Sequence, residues 1–191
     1  MGQAPLTLRR WTRVEYERLV DLGVFDGDPV ELIAGQLMVA EPQNSPHATA
    51  VGAADDALRA ALPPGFIVRA QMPMAVDADS VPEPDLAVVP GCRTDYRRAH
   101  PTSATLVIEV ADSSLEFDRR EKGSLYARAQ VAEYWIINLV DRVLEVYRDP
   151  ARDLAAPHGW GYRSVSAAAS PAVVTPIALP SARIRVSDLI P

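Results

Sequence analysis

Apolar positions along this chain switch between a helical period and short β-rich runs, and the switches set out a mixed order of elements. Thr12-Arg-Val-Glu15 is a capping-box pattern, which predicts a helix of about ten residues stopped by Gly23. Val30-Glu-Leu-Ile33 and Gln36-Leu-Met-Val-Ala40 flank Ala34-Gly35, the pattern of a hairpin on a glycine-containing turn. Ser45-Pro46 suits the cap and first position of a second helix running to about Leu62, because proline needs no N–H partner there. Val51, Ala54, Leu58, Ala61 and Leu62 supply its helical stripe, and Pro63-Pro64-Gly65 ends it.

The middle of the chain turns to strands. Phe66–Arg69, Leu86–Val89 and Thr105–Val110 are rich in β-branched residues. In the last of these both faces are apolar except at Glu109, as expected of a central strand. A helix carrying Lys122 follows, capped by Asp118 with Glu121 as its box partner and ending near Gln130. Glu133–Leu139 and Arg142–Tyr147 form a hairpin around Asp141. Tyr134 and Trp135 fall on opposite sides of that strand and are expected to pack. The tail predicts short strands near Trp160–Ser166 and Arg183–Val186, with an irregular excursion at Ala167–Pro171. Many of the 17 prolines fall near strand ends, as turns and guarded edges require. No repeat or linker divides residues 1–191, so the expectation is one α/β domain: a mixed sheet with helices on its faces.

Composition narrows the class. A length of 191 residues with 48% hydrophobic content is enough for a substantial core. The net charge of −6 offers no overall basic field, so binding a polyanion needs a local patch. Cys92 is the lone cysteine, which excludes an internal disulfide and a cysteine metal site. No apolar run reaches membrane-spanning length, and the first residues lack the apolar core of a signal peptide. Leu6 stands where a myristoylation signal wants Ser or Thr. The expected location is the cytoplasm.

Lys122 is the only lysine; the other 18 basic residues are arginine. Lysine is a compact point charge whose pKa moves readily on burial, unlike the forked and permanently charged arginine. On a helix Lys122 shares a face with Leu125, Tyr126 and Ala129, the face expected against the sheet. Asp85 enters the Leu86–Val89 strand and Glu109 lies near the end of the Thr105–Val110 strand. If those strands are neighbours, two carboxylates project from one end of the sheet and repel. A hard divalent cation such as Mg²⁺ resolves the repulsion. The same spacing equally allows a capping Asp85, a buried Glu109 and a structural ion pair with Lys122.

At these residues the chain resembles a known family. Pro84-Asp85 with Leu-Ala-Val-Val, Val107-Ile-Glu-Val110, Asp118-Arg-Arg-Glu-Lys122 with Leu125-Tyr-Ala127, Val131–Ile137 and Val143–Tyr147 look like the Uma2 family, restriction-endonuclease-like proteins of the PD-(D/E)XK superfamily. The likeness extends to Val30–Leu37 and Ser45-Pro-His47. It implies a restriction-endonuclease-like core, a four-stranded mixed sheet flanked by helices, and phosphodiester hydrolysis with one or two Mg²⁺ (or Mn²⁺) ions. By position, Asp85 resembles the motif aspartate and Glu109 the second acid. The lysine expected two residues after that acid is missing, since Ala111 stands there; Lys122 is the candidate replacement.

Further candidates are weaker. Glu31, in the first hairpin, is an additional metal ligand or an exposed strand charge. His47 contacts a phosphate or water, or serves as a helix-start surface residue. Glu83 shares a face with Asp85 if both lie on a strand, where it is a metal ligand or an acid supporting one. Arg119 and Arg120 are candidate nucleic-acid contacts, with Arg93, Arg97 and Arg98 after the Asp85 strand, although such runs are commonly solvated surface. No helix-turn-helix, zinc-finger or aromatic RNA-binding pattern is present. Three functions fit: a Mg²⁺-dependent nuclease acting on nucleic acid, expected to be DNA, and paired as a homodimer; an inactive nuclease-like module that binds nucleic acid or protein; and a phosphoesterase for small substrates.

Overall fold

The computed structural model describes residues 7–39 and 42–190, so Leu6 and Ala40 lie outside it. The first helix, α1 (Arg13–Asp21), carries the full reciprocal capping box between Thr12 and Glu15. Strands β1 (Val30–Ile33) and β2 (Gln36–Val39) form the expected hairpin, with Ala34 and Gly35 both at positive φ in its turn. A small cluster of Tyr16, Val30, Leu32 and Val81 fastens α1 and the hairpin to the 77–81 loop. A bridge between Leu32 and Val81 adds backbone pairing to that attachment.

Helix α2 (Ser45–Ala61) begins one residue earlier than its sequence suggests. Asn44, not Ser45, is the cap: its side-chain oxygen accepts the His47 N–H at 2.9 Å. Ser45 and Pro46 are the first two helical residues, where proline costs no hydrogen bond.

Six strands form the main sheet in the order β3 (Phe66–Ala70), β4 (Leu86–Pro90), β5 (Leu106–Ala111), β6 (Glu133–Asn138), β7 (Val143–Arg152), β8 (Trp160–Ala168). Only β5 and β6 are parallel, which gives the mixed sheet its character. The family resemblance implies four strands, and the sheet has six. The tail strand is longer than predicted, because β8 pairs along nearly the whole of β7 despite being mostly exposed. A two-stranded β9 (Val173–Val174) and β10 (Ile184–Arg185) completes the set.

Period-2 alternation divides the sheet into two faces. Val68, Leu86, Val88, Leu106, Ile108, Trp135, Ile137 and Leu144 pack on α2 and the C-terminal segment. Ala87, Val107, Tyr134 and Ile136 pack on the opposite side against Tyr126 and Met74. Trp135 and Tyr134 therefore do fall on opposite faces. Leu106, Ile108, Trp135 and Ile137 are fully buried, each contributing about 1.5–3 kcal/mol by removal from water.

The helical run over 115–128, here α3, corrects a second expectation. It joins an α-turn (Leu115–Phe117), a π segment (Asp118–Lys122) and an α-helix (Gly123–Arg128). Asp118 is thus inside the run rather than its cap, and its carboxylate turns inward to accept the Ser114 hydroxyl at 2.5 Å. Glu121 instead faces His158 at 3.4 Å. Gln130, at φ 59, closes α3 as a left-handed cap: its N–H reaches Ala127 O and the Val131 N–H reaches Tyr126 O.

Candidate active site

Antiparallel pairing brings the start of β4 against the end of β5. The register joining Leu86 to Ile108 sets Asp85 opposite Glu109. Backbone amides then hold both carboxylates: Val110 N–H donates to Asp85 Oδ2 at 2.8 Å, and Asp85 N–H donates to Glu109 Oε2 at 3.2 Å. Lys122 Nζ lies 3.0 Å from Glu109 Oε1, and the Tyr126 hydroxyl donates to that same oxygen at 2.7 Å. Glu109 is 2% exposed and Lys122 9%, so the lysine of α3 points inward rather than into solvent.

Two other elements reach the same place. The β1–β2 hairpin delivers Glu31, whose Oε1 stands 3.8 Å from Lys122 Nζ and whose Oε2 accepts the Glu83 N–H at 2.9 Å. Glu83 is not on a strand: it belongs to the segment before β4 and meets the site through Glu31. The first turn of α2 brings His47, with Nε2 3.3 Å from Asp85 Oδ2 and Nδ1 buried without a hydrogen-bond partner. Asp85, Glu109, Lys122, Glu31, His47 and, at one remove, Glu83 therefore converge.

Arg119 and Arg120 do not enter this cluster in the same way. Arg119 places its fork on Glu145, at 3.1 and 2.5 Å, within a network that includes Asn138 and Tyr147. Arg120 stays largely exposed, 4.0 Å from Glu116. Two site residues escaped prediction. Tyr126 looks like core at its helical spacing, and Asp118 looks like a cap; the one signal for Tyr126 is its position four residues after the sole lysine.

The electrostatics show more negative charge than the protein itself offsets. Burial, opposed by Lys122 and reinforced by Asp85, pushes the Glu109 carboxyl up to about 8. Burial also raises Asp118 and Glu83 above their ordinary values, the latter with help from Glu31. Burial alone would depress the Lys122 ammonium, but Glu109, Glu31 and Asp118 outweigh it and hold the lysine charged. The hydrogen bond to Asp85 raises His47 against its own desolvation.

These shifts share one sign. A carboxyl raised in the folded state keeps its proton where the unfolded chain has lost it, so stability declines as pH rises from the ordinary value of 4.5 toward about 8. The raised His47 acts in the same direction. Relative to Glu109→Gln, the metal-free protein is therefore expected to melt at progressively lower temperature between about pH 5.5 and about pH 8 in EDTA. A difference between the two proteins that stays constant over that range contradicts this account.

The residues also fit a hard cation. Among the described residues no three His, Cys, Asp or Glu side chains form a ready-made cage. Mg²⁺ does not require one, since it retains several waters and takes one or two carboxylates. Asp85 and Glu109 are two adjacent carboxylates whose crowding a cation relieves, and Glu31 stands beside them.

The mixed six-stranded sheet flanked by helices is an α/β fold of the nuclease-like kind. Among solved structures, the chain is similar to a putative nuclease belonging to DUF820 from Anabaena variabilis ATCC 29413. The two share 15% identity at a TM-score of 0.64, covering 84% of this chain and 89% of that one, a likeness of fold. The model of the Uma2 family, described as putative restriction endonuclease, matches residues 13–185, and the chain belongs to that family. No curated protein matches it significantly. Among the described residues no helix is long and apolar enough to cross a membrane.

Proposed function

We propose that this protein is a divalent-cation-dependent nuclease that hydrolyses phosphodiester bonds of nucleic acid, with Mg²⁺ or Mn²⁺ as its cofactor. The apposition of Asp85 and Glu109 beside the buried Lys122 carries this reading. Asp85 and Glu109 hold the ion, with Glu31 as an additional acid. When bound, such an ion polarises a phosphate oxygen and lowers the pKa of its water.

The remaining roles belong to the chain's own groups. Lys122 places a fixed positive charge where negative charge builds up as a water oxygen bonds to phosphorus and the P–O bond to the leaving strand breaks. Tyr126 and the Asp85 N–H restrain the two oxygens of Glu109 and fix the carboxylate's orientation beside the lysine. Val110 N–H and His47 restrain Asp85 in the same way. The buried environment strengthens each of these interactions relative to water.

The alternative, an inert fold in which Lys122 and Glu109 are only a structural pair, makes a different prediction for cation binding. Calorimetric titration with Mn²⁺ and Mg²⁺ at about pH 8 distinguishes them. The nuclease reading expects saturable binding in the millimolar range or tighter, weakened at least about tenfold in Glu109→Gln. No binding by the wild-type protein at millimolar ion overturns it.

A further inference from the structure

A polyanion meets a difficulty at this site, because its surroundings are acidic. Asp112, which accepts from Asn44, and the exposed Glu116 follow β5, and Glu83 lies on the other side. The two arginines nearest in sequence to Lys122 are engaged by carboxylates, Arg119 by Glu145 and Arg120 by Glu116. Any grip on a nucleic-acid backbone must come from elsewhere on the molecule.

One surface has the required charge. Arg93, Arg97 and Arg98 lie on the 3₁₀ turn after β4 (Arg93–Tyr96) and the two residues beyond it, and all three are exposed. Among the described residues none of them has a carboxylate within ion-pair distance, in contrast to Arg9, Arg13, Arg59, Arg119, Arg120, Arg128, Arg148 and Arg163. Asp95 is the sole acid in the segment, and its Oδ2 accepts the Cys92 N–H at 2.7 Å. A fourth arginine joins from β3. The Arg69 guanidinium lies 5.4 Å over the Tyr96 ring, donates to Pro73 O at 3.3 Å and sits 3.4 Å from His100 Nδ1. Tyr96 is itself fixed by donating to Pro90 O at 2.6 Å.

The patch is also in range of the site. Arg69 pairs with Ala87, two residues along β4 from Asp85. From Asp85 to Pro90 the strand spans about 17 Å at about 3.4 Å per residue, the rise of about five base pairs of duplex. The basic surface thus runs from Arg69, on the strand next to the one that Asp85 opens, to Arg93, Arg97 and Arg98 past the far end of β4.

We infer that Arg93, Arg97 and Arg98, with Arg69 at the near end, are the backbone-docking surface that holds a nucleic-acid strand about half a helical turn from the bond to be cut. This rests on the nuclease reading for its choice of ligand. Contacts of this kind are sequence-independent and salt-sensitive, because each neutralised phosphate releases counterions.

The test compares R93A/R97A/R98A with R163A/R183A/R185A, which removes the same number of charges from β8 and the tail. All six positions are exposed, so both variants are expected to fold. Binding of a 20-base-pair DNA duplex, and of single-stranded DNA and duplex RNA of equal length, is measured in EDTA across a salt series. The patch variant is expected to reduce the slope of log K against log salt by about two to three, and to weaken binding at least about tenfold at low salt; the control changes neither appreciably. Equal effects in the two variants, or none in the patch variant while wild type binds, overturn the docking surface and leave the nuclease reading intact. A wild-type protein that binds none of the three probes overturns both. Patch-dependent binding by a protein that shows neither cation binding nor cleavage keeps the docking surface and removes the nuclease reading.

Discussion

Asp85→Asn is expected to abolish cation binding and to lower the single-turnover rate of phosphodiester cleavage by about three decades or more. The ion contributes several kcal/mol of charge stabilisation, and about 1.4 kcal/mol corresponds to each tenfold in rate. The substitution keeps the shape of the side chain, and the amide oxygen can still accept the Val110 N–H that now reaches Asp85 Oδ2 at 2.8 Å. It also removes one negative charge from a site where burial and mutual repulsion already raise Glu109. The variant should therefore melt higher than wild type toward about pH 8 in EDTA, where the pairing of protonated His47 with Asp85 no longer contributes. Loss of function with gained stability is the usual mark of a strained site. A marked fall in melting temperature would mean that Asp85 serves the fold rather than the chemistry.

Lys122→Met separates the lysine from the ion. The rate is expected to fall by about 10²–10³, the cost of removing one fixed group that stabilises transition-state charge, while cation binding persists. Its stability effect runs opposite to that of Asp85→Asn. Without the ammonium at 3.0 Å, Glu109 is left buried and unpaired, a loss of about 3–5 kcal/mol when the carboxylate is ionised. The carboxyl escapes part of that cost by keeping its proton, so destabilisation should be small near pH 5.5 and large near pH 8. Lys122→Arg is not expected to restore the rate, since a planar fork cannot replace a point charge in so closed a space. Thermal melts at the two pH values and a single-turnover assay in Mg²⁺ check the set. Unchanged cleavage in Lys122→Met would leave the lysine a purely structural partner of Glu109.

The elements that build the site were legible because their signals are local. An apolar run interrupted only by Glu109 marks β5 as a buried strand, and Asp85 immediately before Leu86 marks the mouth of β4. What brings them together, the antiparallel register, is a tertiary fact, though one that neighbouring strands make natural. Lys122 was visible as the chain's lone lysine on an apolar helix face.

Other features were hidden for physical reasons. Asp118 and Glu121 mimic a capping box, and nothing in their spacing reveals that the helical run starts four residues earlier, at Leu115, or that a π segment turns Asp118 inward. Tyr126 at helical spacing is indistinguishable from core until its hydroxyl is seen on Glu109 Oε1. Arg119 resembles a free phosphate contact until Glu145, 26 residues away, is found to hold it. His47 meets Asp85 only because the start of α2 docks beside the end of β5. The length of β8 was obscured by its exposure, since an edge strand lacks the apolar alternation that identifies a buried one.

The most direct test of the central claim is cleavage of supercoiled plasmid and single-stranded DNA by the purified wild-type protein in Mg²⁺ or Mn²⁺, against the same protein in EDTA. The account predicts nicked, linear or shortened products with either ion, none in EDTA, and none from Asp85→Asn with ion present. Intact substrates under every condition, from a folded protein that takes up no cation, would contradict it.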